Sequence, residues 1–410
     1  MINKNKDRAL AHIELIHDIQ PIIGADNIEM VHVLGWGCIA KKQEFKDGDK
    51  CVYIEIDSKV PETDCFEFLR NKGFKIKTMK LGKFGVISQG IALPLELVGL
   101  KDCDHEVGED VTKLLKITKI ETSEEKELKK AEGVSKQAIL TSIKSRKKKF
   151  FENKLVKKLM RYEWFRNFII KLFARKKDKP RQYPSYITKT DETRIENLPW
   201  ILQDKQEFIM TEKIDGTSTT FAVRRIKKNR YDFIVCSRNV RQADMDQSNF
   251  HTADCDGNVY WQMAIKYDIK NILIDIAERE NQEIVILQGE TIGNVQGNPY
   301  KLSENKFYCY NLIFTNEAKG FYIKKDPVEG KKYIEEHKYK LDWVPILNEH
   351  YVVPDTIEEI KKDAEGMSKI NPKVLREGVV CRSYEKFGDY VSFKNVANSY
   401  LLKKAKNEKE

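Results

Sequence analysis

The turn Lys213-Ile214-Asp215-Gly216 constrains this chain more than any other short segment. An apolar run at 208–210 precedes the turn and a second run at 219–223 follows it, so the tetrapeptide joins two strand-like segments. The lysine therefore lies at the end of a strand, with an acid and a glycine directly beyond it. The remaining sequence decides which chemistry these residues serve.

The length and charge of the chain bound its domain count and its partners. Its 410 residues are enough for two domains, and a hydrophobic fraction of 41% supports a folded protein. Lys and Arg number 73 against 63 Asp and Glu, which gives a formal charge of +10. Such an excess favours anionic partners through steering and counterion release, and nucleic acid is one of them.

The eight cysteines are scattered, without a CxxC pair or a neighbouring histidine cluster. This spacing favours neither a zinc site nor a redox motif, and most of them, such as Cys51 and Cys309, fall in strand-like runs. A reducing intracellular compartment is the natural interpretation. The polar segment Met1 to Arg8 has no signal-peptide core, and no run approaches the ~20 apolar residues that span a bilayer. We expect a soluble intracellular protein without membrane association, cytoplasmic or nuclear.

Residues 9 to about 110 consist of short strand-like runs between turns. Val52, Ile54 and Ile56 alternate after Gly48-Asp49, and a further strand is predicted from Ile87 to Leu95. Many short strands without helical periods predict a small barrel or sandwich. The segment from Pro21 to Glu29, with Gly35-Trp36 and the run from Phe45 to Asp49, resembles the OB-fold modules of tRNA-binding proteins and of one RNA ligase family.

A basic segment follows this module. Between Lys144 and Lys179 there are fifteen Lys or Arg and three acids, interleaved with aromatic residues. A helical spacing joins Leu155, Leu159, Tyr162, Phe165, Phe168 and Leu172. Two interpretations stay open: a helix that packs its apolar face on a domain with its lysines solvated, or one whose basic face also contacts phosphates.

From about Tyr183 the pattern is mixed. Strands are predicted at 207–212, 217–224, 231–236, 284–289, 306–314, 378–383 and 389–394, with one helix from Val259 to Glu280. This indicates an α+β domain built mainly on antiparallel sheet. The predicted organisation is an OB-fold module at 1–115, a basic and largely helical segment at 116–182, and a nucleotidyltransferase domain at 183–410.

The chemistry of a lysine nucleophile defines what else the site needs. A lysine attacks the α-phosphate of a nucleotide only as a neutral amine, which requires a lowered pKa or a nearby base. The pentavalent transition state carries negative charge that a metal ion and further cations must stabilise. The sequence offers candidates at strand ends: Arg238, Gly289-Glu290, Tyr310-Asn311, Glu377-Gly378 and Lys394.

In their order, these segments resemble motifs I, Ia, III, IIIa, IV and V of the covalent nucleotidyltransferases, the ligase and capping-enzyme superfamily. The leading OB-like module, the segment from Lys189 to Arg194, and Ser392-Phe393-Lys394 with Tyr400-Leu401-Leu402 narrow the resemblance. They are similar to the Deinococcus/Naegleria-type ATP-dependent RNA ligases, which place the OB module before the catalytic domain.

The resemblance implies a role for each matching residue. Lys213 would attack ATP to form lysyl-AMP, and Asp215, Glu290 and Glu377 would organise Mg²⁺ or Mn²⁺ through its water shell, with Glu290 alternatively near the ribose. The implied nucleotide contacts are Glu212 beside the nucleoside, Arg238 on ribose or phosphate, Tyr310 on adenine and Lys394 on the α-phosphate. The catalytic set is then Lys213, Asp215, Glu290, Glu377 and Lys394.

The implied reaction seals RNA with 5′-phosphate and 3′-OH ends, as in repair of nicked or duplex RNA by a monomeric enzyme. The alternatives are a DNA ligase, a capping guanylyltransferase, or an RNA-binding protein with an inactive nucleotidyltransferase-like domain. One departure concerns motif V, where related ligases often carry a second lysine two positions from the first. Here Asn395 and Val396 follow Lys394, so the motif is one register off or a cation such as Lys403 or Lys404 replaces that lysine.

Overall fold

The computed structural model describes residues 9–82, 84–120, 140–141, 143–144, 147–173, 183–203, 205–242, 258–316, 321–384 and 391–407. Cys255 and parts of the predicted basic segment, 121–139 and 174–182, lie outside these residues. Across the described ranges, none of the helices has both the length and the apolar character needed to cross a bilayer.

The N-terminal strands form a small barrel-like unit. Its strands are β1 (Ala11–Pro21), β2 (Ile28–Val33), β3 (Trp36–Lys41), β4 (Lys50–Ile54), β5 (Ser58–Lys59), β6 (Lys75–Ile76), β7 (Met79–Leu81), β8 (Val86–Ser88), β9 (Ile91–Leu93) and β10 (Thr118–Lys119). The main antiparallel sheet has the order β3-β2-β1-β4-β9, and smaller sheets join β10-β5-β6 and β7-β8. The predicted OB-type barrel is confirmed.

One predicted strand of the barrel is divided. The sequence predicted a single strand from Ile87 to Leu95, whereas the structure has β8 and β9 separated by Gln89 and Gly90. Gly90 has φ +87°, and a Cβ at this position would lie 2.6 Å from the Tyr53 ring. A positive φ breaks the extended conformation, so the chain turns there.

Among its described residues, the basic segment contains the short helices α1 (Lys148–Glu152), α2 (Lys154–Leu159) and α3 (Glu163–Phe173). The predicted continuous apolar face is wrong, because Leu155, Tyr162, Phe168 and Leu172 are exposed. Breaks at Asn153 and around residue 161 change the helical phase, so one period cannot run through all three helices. A separate core is formed instead by Leu140, Ile143, Phe151, Val156, Phe165 and Ile169.

The C-terminal part contains two sheets. Their strands are β11 (Thr193–Arg194), β12 (Glu207–Lys213), β13 (Thr217–Lys227), β14 (Arg230–Ser237), β15 (Ile284–Ile292), β16 (Lys306–Asn316), β17 (Phe321–Lys324), β18 (Asp342–Trp343), β19 (Ile346–Val352), β20 (Gly378–Ser383) and β21 (Ser392–Val396). The first sheet has the order β11-β21-β20-β12-β19, and the second has the order β14-β13-β15-β16-β17 with β18 beside β16. The predicted α+β class is confirmed, and the strand predicted at 389–394 instead starts at Ser392.

In the part of the chain that the structure describes, these sheets pack against α4 (Val259–Lys266), α5 (Ile269–Arg279), α6 (Pro327–Glu336) and α7 (Ile357–Ala364), and α8 (Asn398–Asn407) follows β21. Short 3₁₀ helices occupy Asp64–Lys72, Leu95–Val98, Asp102–Asp104, Ile195–Asn197 and Pro199–Leu202. The single helix predicted from Val259 to Glu280 is two helices, because Asp268 between them adopts φ +50°. Ile269, Leu273 and Ile276 on the second of these helices are buried.

A buried polar network joins the barrel to the C-terminal part. Trp36 Nε1 donates to Asn197 Oδ1 at 2.6 Å, and the Asn197 amide donates to Glu55 Oε1 at 2.5 Å. His12 lies behind Glu55, with its Nδ1 2.8 Å from Glu14 and its Nε2 3.5 Å from Glu55. Burial would lower the pKa of His12, but the two carboxylates raise it above its ordinary value. We call Trp36, Asn197, Glu55, His12 and Glu14 the junction network.

Candidate active site

Lys213 is the last residue of β12, where the chain passes from the first sheet to the second. It pairs with Gly378 at the start of β20. Gly378 has φ +155°, and a Cβ there would overlap the carbonyl oxygen of Asn395. Only glycine fits this close approach. The adjoining Glu377 is thereby brought to Lys213, with Nζ 2.7 Å from Glu377 Oε2.

Two further carboxylates act electrostatically on this pair. Burial would lower the pKa of Lys213, but Glu377, Glu290 and Asp215 together raise it. Burial raises the pKa of Glu290 to about 8, and the negative charges of Glu377 and Asp215 add to the effect against the opposing Lys213. Burial likewise raises the pKa of Glu377, which Lys213 opposes. The cluster holds more carboxyl groups than its ammonium can balance.

Asp215 is held from two sides. Its backbone N–H donates to the Tyr300 hydroxyl at 2.9 Å. Its carboxylate accepts a hydrogen bond from the Tyr400 hydroxyl, and Lys404 Nζ lies 3.9 Å from its other oxygen. Both of these partners belong to helix α8.

A second charged group lies on the opposite side of Lys213. Asp191 accepts from Lys394 Nζ at 2.9 Å and lies 3.2 Å from Arg238 Nη2. Burial would raise the pKa of Asp191, but Lys394 and Arg238 hold it well below its usual range. Burial, with the nearby charges of Arg194 and Lys213, lowers the pKa of Lys394 to about 8. A phosphate could replace Asp191 as the partner of both cations.

Tyr310 and Glu212 lie at the inner end of the site. The Tyr310 hydroxyl is 3.2 Å from both Ser218 Oγ and Thr190 Oγ1, and the Arg382 guanidinium lies over its ring at 5.6 Å. Glu212 is buried and accepts from the Lys369 backbone N–H at 2.8 Å. These contacts fix an aromatic ring and a carboxylate beside the lysine.

One cleft between the two sheets unites these groups. Its lining is Thr190, Asp191, Glu192, Thr211, Glu212, Lys213, Ile214, Gly216, Thr217, Ser218, Arg238, Asn239, Glu290, Gln296, Tyr310, Val344, Val380, Arg382 and Lys394. Six of the predicted site residues therefore line it: Glu212, Lys213, Arg238, Glu290, Tyr310 and Lys394. Asp215 and Glu377 do not line it, and they reach it through Lys213.

The carboxyl groups around Lys213 supply oxygen atoms of the kind that divalent cations such as Mg²⁺ and Mn²⁺ bind. In the part of the chain that the structure describes, no three Asp, Glu, His or Cys side chains converge closely enough to hold an ion. Burial is nevertheless the main cause of the raised pKa of Glu290, and the negative charges of Glu377 and Asp215 add to it, so that a surplus of carboxyl groups surrounds Lys213. A hydrated cation would relieve that surplus, and magnesium in particular keeps several of its waters.

Comparisons with known proteins agree with this geometry. A model of an OB-fold domain matches residues 10–95, and a model of the RNA ligase family matches residues 206–396. The chain is similar to a structure of Naegleria gruberi RNA ligase with PPi, at 29% identity over 98% of this chain and 100% of that one, with a TM-score of 0.70. A mutant of the same ligase with AMP and Mn is 30% identical over 96% and 98% of the two chains, with a TM-score of 0.69. The chain belongs to the RNA ligase family.

A further structure of the Naegleria gruberi ligase gives the same result. A mutant of the Naegleria gruberi ligase with ATP and Mn is 29% identical over 98% of each chain, with a TM-score of 0.69. No curated protein matches the sequence significantly. The predicted RNA ligase activity and the predicted family are confirmed by these comparisons.

In the present chain, the lack of a second lysine in motif V has a structural explanation. Ser392 lies two residues before Lys394 on β21, and its hydroxyl donates to Glu192. Glu192 in turn accepts from Arg382 at 3.2 Å. Of the two other lysines considered, Lys404 approaches Asp215, whereas Lys403 is exposed. Arg382 is thus a further cation that lines the cleft of the ligase, besides Lys213, Arg238 and Lys394.

Sequence reasoning missed several residues of the ligase cleft. Asp191 and Glu192 fell within the segment compared with the family but received no role. Arg382 was overlooked. It lies two residues after Val380 on the same strand, so the alternation of side chains places Val380 and Arg382 on one face, and this face lines the cleft. Tyr300 carries no local signal, and Tyr400 was matched to the family without a role, because their contacts with Asp215 span 85 and 185 residues of sequence.

Proposed function

We propose that this RNA ligase is ATP-dependent and that Lys213 is its nucleophile. The observation that carries the proposal is the 2.7 Å contact between Lys213 Nζ and Glu377 Oε2 beside two further carboxylates. The charged amine must shed its proton before attack, and Glu377 is an acceptor within reach. Its raised pKa suits this role.

The proposed reaction has three steps. First, Lys213 Nζ bonds to the α-phosphorus of ATP as the bond to the leaving pyrophosphate breaks, which gives lysyl-AMP. Second, an RNA 5′-phosphate oxygen takes the AMP from the lysine. Third, a 3′-OH attacks the phosphorus of the 5′-phosphate, so that a phosphodiester forms and AMP leaves. The 3′-OH loses its proton in this last step.

Other residues of the cleft bind and orient the nucleotide in this scheme. Lys394 and Arg238, now shared by Asp191, are placed to hold phosphate oxygens or the ribose. Tyr310, whose hydroxyl is fixed by two neighbours, presents its ring to adenine, and Glu212 lies beside the nucleoside. Glu290 faces the cleft near the ribose or the metal waters.

The metal proposed here is Mn²⁺ or Mg²⁺, organised by Asp215, Glu290 and Glu377 through water. When bound, it supplies positive charge that lowers the pKa of Lys213 and offsets charge on the α-phosphate. The protein's own part is to keep three carboxyl groups near one ammonium, as the raised pKa of Glu290 reflects.

The proposed division of labour follows the separate hydrophobic clusters along the chain. The barrel at 1–115, the basic segment at 116–182 and the catalytic domain at 183–410 each contain at least one cluster. We propose that nicked or duplex RNA binds across the Lys- and Arg-rich surface of the basic segment. We also propose that the monomer is sufficient for sealing. A steep fall in RNA affinity with salt supports phosphate contacts, and a flat salt profile contradicts them.

The deciding experiment is formation of a protein–AMP adduct. The wild-type chain incubated with labelled ATP and Mn²⁺ should become labelled, and Lys213→Ala should not. Lys205→Ala is the matched control, because this lysine lies near the same strand but pairs with Asp355 on the surface. No adduct with either metal would overturn the proposal.

A sealing assay then defines the polynucleotide. Nicked duplexes with either an RNA or a DNA 3′-OH end are incubated with ATP and Mn²⁺, and the joined strand is measured. We expect sealing of the RNA-OH end. Preferential sealing of all-DNA nicks contradicts the assignment of RNA as the substrate.

A further inference from the structure

The C-terminal helix α8 reaches the turn that follows Lys213. The Tyr400 hydroxyl donates to Asp215 Oδ2, and Lys404 Nζ lies 3.9 Å from Asp215 Oδ1. Lys404 also lies over the Tyr400 ring, 5.8 Å from its centroid. Both carboxylate oxygens of Asp215 are therefore engaged from one helix, 185 residues away in sequence.

The start of this helix is firmly placed. The Ser399 backbone N–H donates to Glu365 Oε1 at 3.2 Å, and the Ser399 hydroxyl donates to the other oxygen of that carboxylate. The Ala397 N–H just before the helix donates to the Glu377 carbonyl at 2.9 Å. Helix α8 thus has a fixed position relative to the proposed base Glu377.

Helix α8 also contacts the barrel, where it packs against β7. Lys77, two residues before β7, has a pKa lowered by burial and by Lys75, and Lys404 contributes to this lowering. The element that engages Asp215 therefore spans the barrel and the catalytic domain. An ordered Tyr400 can therefore hold the Asp215 carboxylate in a fixed position relative to the barrel and to the catalytic domain.

We propose that Tyr400 is a positioning residue that orients Asp215 toward the water shell of the catalytic metal, with Lys404 balancing its charge. This inference rests on the proposed function. Without the hydroxyl, the Asp215 carboxylate is free to rotate about its side-chain bonds and to turn toward Lys404. The ordered orientation then has to be regained each time the metal binds, which weakens metal binding.

The test compares Tyr400→Phe with Tyr351→Phe. Tyr351 is a matched control because its hydroxyl also donates to a carboxylate, Asp363 Oδ2 at 2.7 Å, in a hydrophobic cluster outside the cleft. The rate of protein–AMP formation is measured in single turnovers against Mn²⁺ concentration at saturating ATP. For Tyr400→Phe the Mn²⁺ concentration giving half the maximal rate should rise about tenfold, as expected for loss of a hydrogen bond to an ion. For Tyr351→Phe it should stay within about twofold.

A second readout does not depend on catalysis. Binding of Mn²⁺ with ATP is measured by calorimetry in a Lys213→Ala background, with and without Tyr400→Phe. The second substitution should weaken Mn²⁺ binding about tenfold. Lys404→Gln should weaken it only about twofold, because this side chain is 52% exposed and solvent screens its charge.

The outcomes separate the two proposals. If the wild-type chain forms no adduct, the proposed function fails, yet the calorimetry still tests the role of Tyr400. If adduct forms but Tyr400→Phe has the wild-type Mn²⁺ dependence, the positioning role is overturned. A lower melting temperature of Tyr400→Phe with unchanged Mn²⁺ binding would show a purely structural role and overturn it equally.

Discussion

The junction network and the carboxyl cluster at Lys213 both bury acidic side chains, but they differ in how those side chains are paired. In the junction network, Glu55 accepts a hydrogen bond from the Asn197 amide and faces His12. The pKa of His12 is raised, which favours its charged form. At Lys213, one ammonium faces Glu377, Glu290 and Asp215, and the pKa of Glu290 rises to about 8. In the first arrangement each of the two carboxylates, Glu14 and Glu55, has a hydrogen-bond partner, whereas in the second three carboxyl groups surround one lysine.

This difference separates a structural role from a chemical one. Buried charges with satisfied partners hold two parts of a fold in register, and removing one partner leaves the other unpaired. Buried charges left unbalanced cost stability and have shifted pKa values, as is common at active sites. The same glutamate-to-glutamine change should therefore have opposite consequences in the two places.

The largest effect is expected for Glu377→Gln in the cleft. Loss of the base and of one metal-organising carboxylate should slow protein–AMP formation by about two to three orders of magnitude. The melting temperature should stay the same or rise, since a repulsive carboxyl group is gone. Single-turnover kinetics and calorimetry check both parts. A large loss of stability would place Glu377 with the structural carboxylates and break the distinction.

Glu290→Gln should change how stability depends on pH. The folded chain retains a proton on Glu290 up to about pH 8, whereas the unfolded chain releases it near its ordinary pKa of 4.5. The wild type therefore loses stability as pH rises through this interval, by about 3 kcal/mol between pH 5.5 and 8. The glutamine variant lacks this loss. Urea unfolding at the two pH values measures it, and parallel profiles would contradict the shifted pKa.

Glu55→Gln, the same substitution in the junction network, should cost about 1–2 kcal/mol of unfolding free energy. The reason is that His12 and the Asn197 amide lose their anionic partner. Protein–AMP formation should keep at least half its rate at a temperature where the variant is folded. Urea unfolding and the adduct assay measure the two effects. Loss of adduct without loss of stability would show that the network takes part in catalysis.

The smallest effect is expected for Lys394→Arg. Burial and nearby cations lower the pKa of Lys394 to about 8, so its charge is lost as pH rises through that value. Arginine stays charged throughout this range. The decline in adduct formation at alkaline pH should therefore move upward by about one pH unit in the variant. If adduct formation declines at the same alkaline pH in the wild type and in the variant, Lys394 does not control this decline.

The sequence predicted the strands of the catalytic domain well, because apolar alternation is local. All seven predicted strands occur, and Lys213 ends β12 as expected. Helix continuity was less predictable. The positive φ of Asp268 and the breaks around α2 depend on how neighbouring segments pack, which periodicity does not record.

The site was predictable only where residues follow strand ends. Arg238, Glu290 and Lys394 were found in this way, and the structure brings them to one cleft. The partners of Asp215 were not, since Tyr300 and Tyr400 reach it through tertiary packing. The partner of Trp36 is equally remote, because 161 residues separate it from Asn197.

The position of Asn197 limits how this protein can be recombined. Its amide group lies in the catalytic part of the chain, yet it supplies the hydrogen-bond partners of Trp36 and Glu55 in the barrel. A chimaera that joins this barrel to another ligase without an equivalent amide leaves a buried indole N–H unsatisfied and takes one hydrogen-bond donor away from the buried Glu55 carboxylate. The two modules are thus a single unit of exchange, and a productive graft has to carry the short segment around Asn197 along with the barrel.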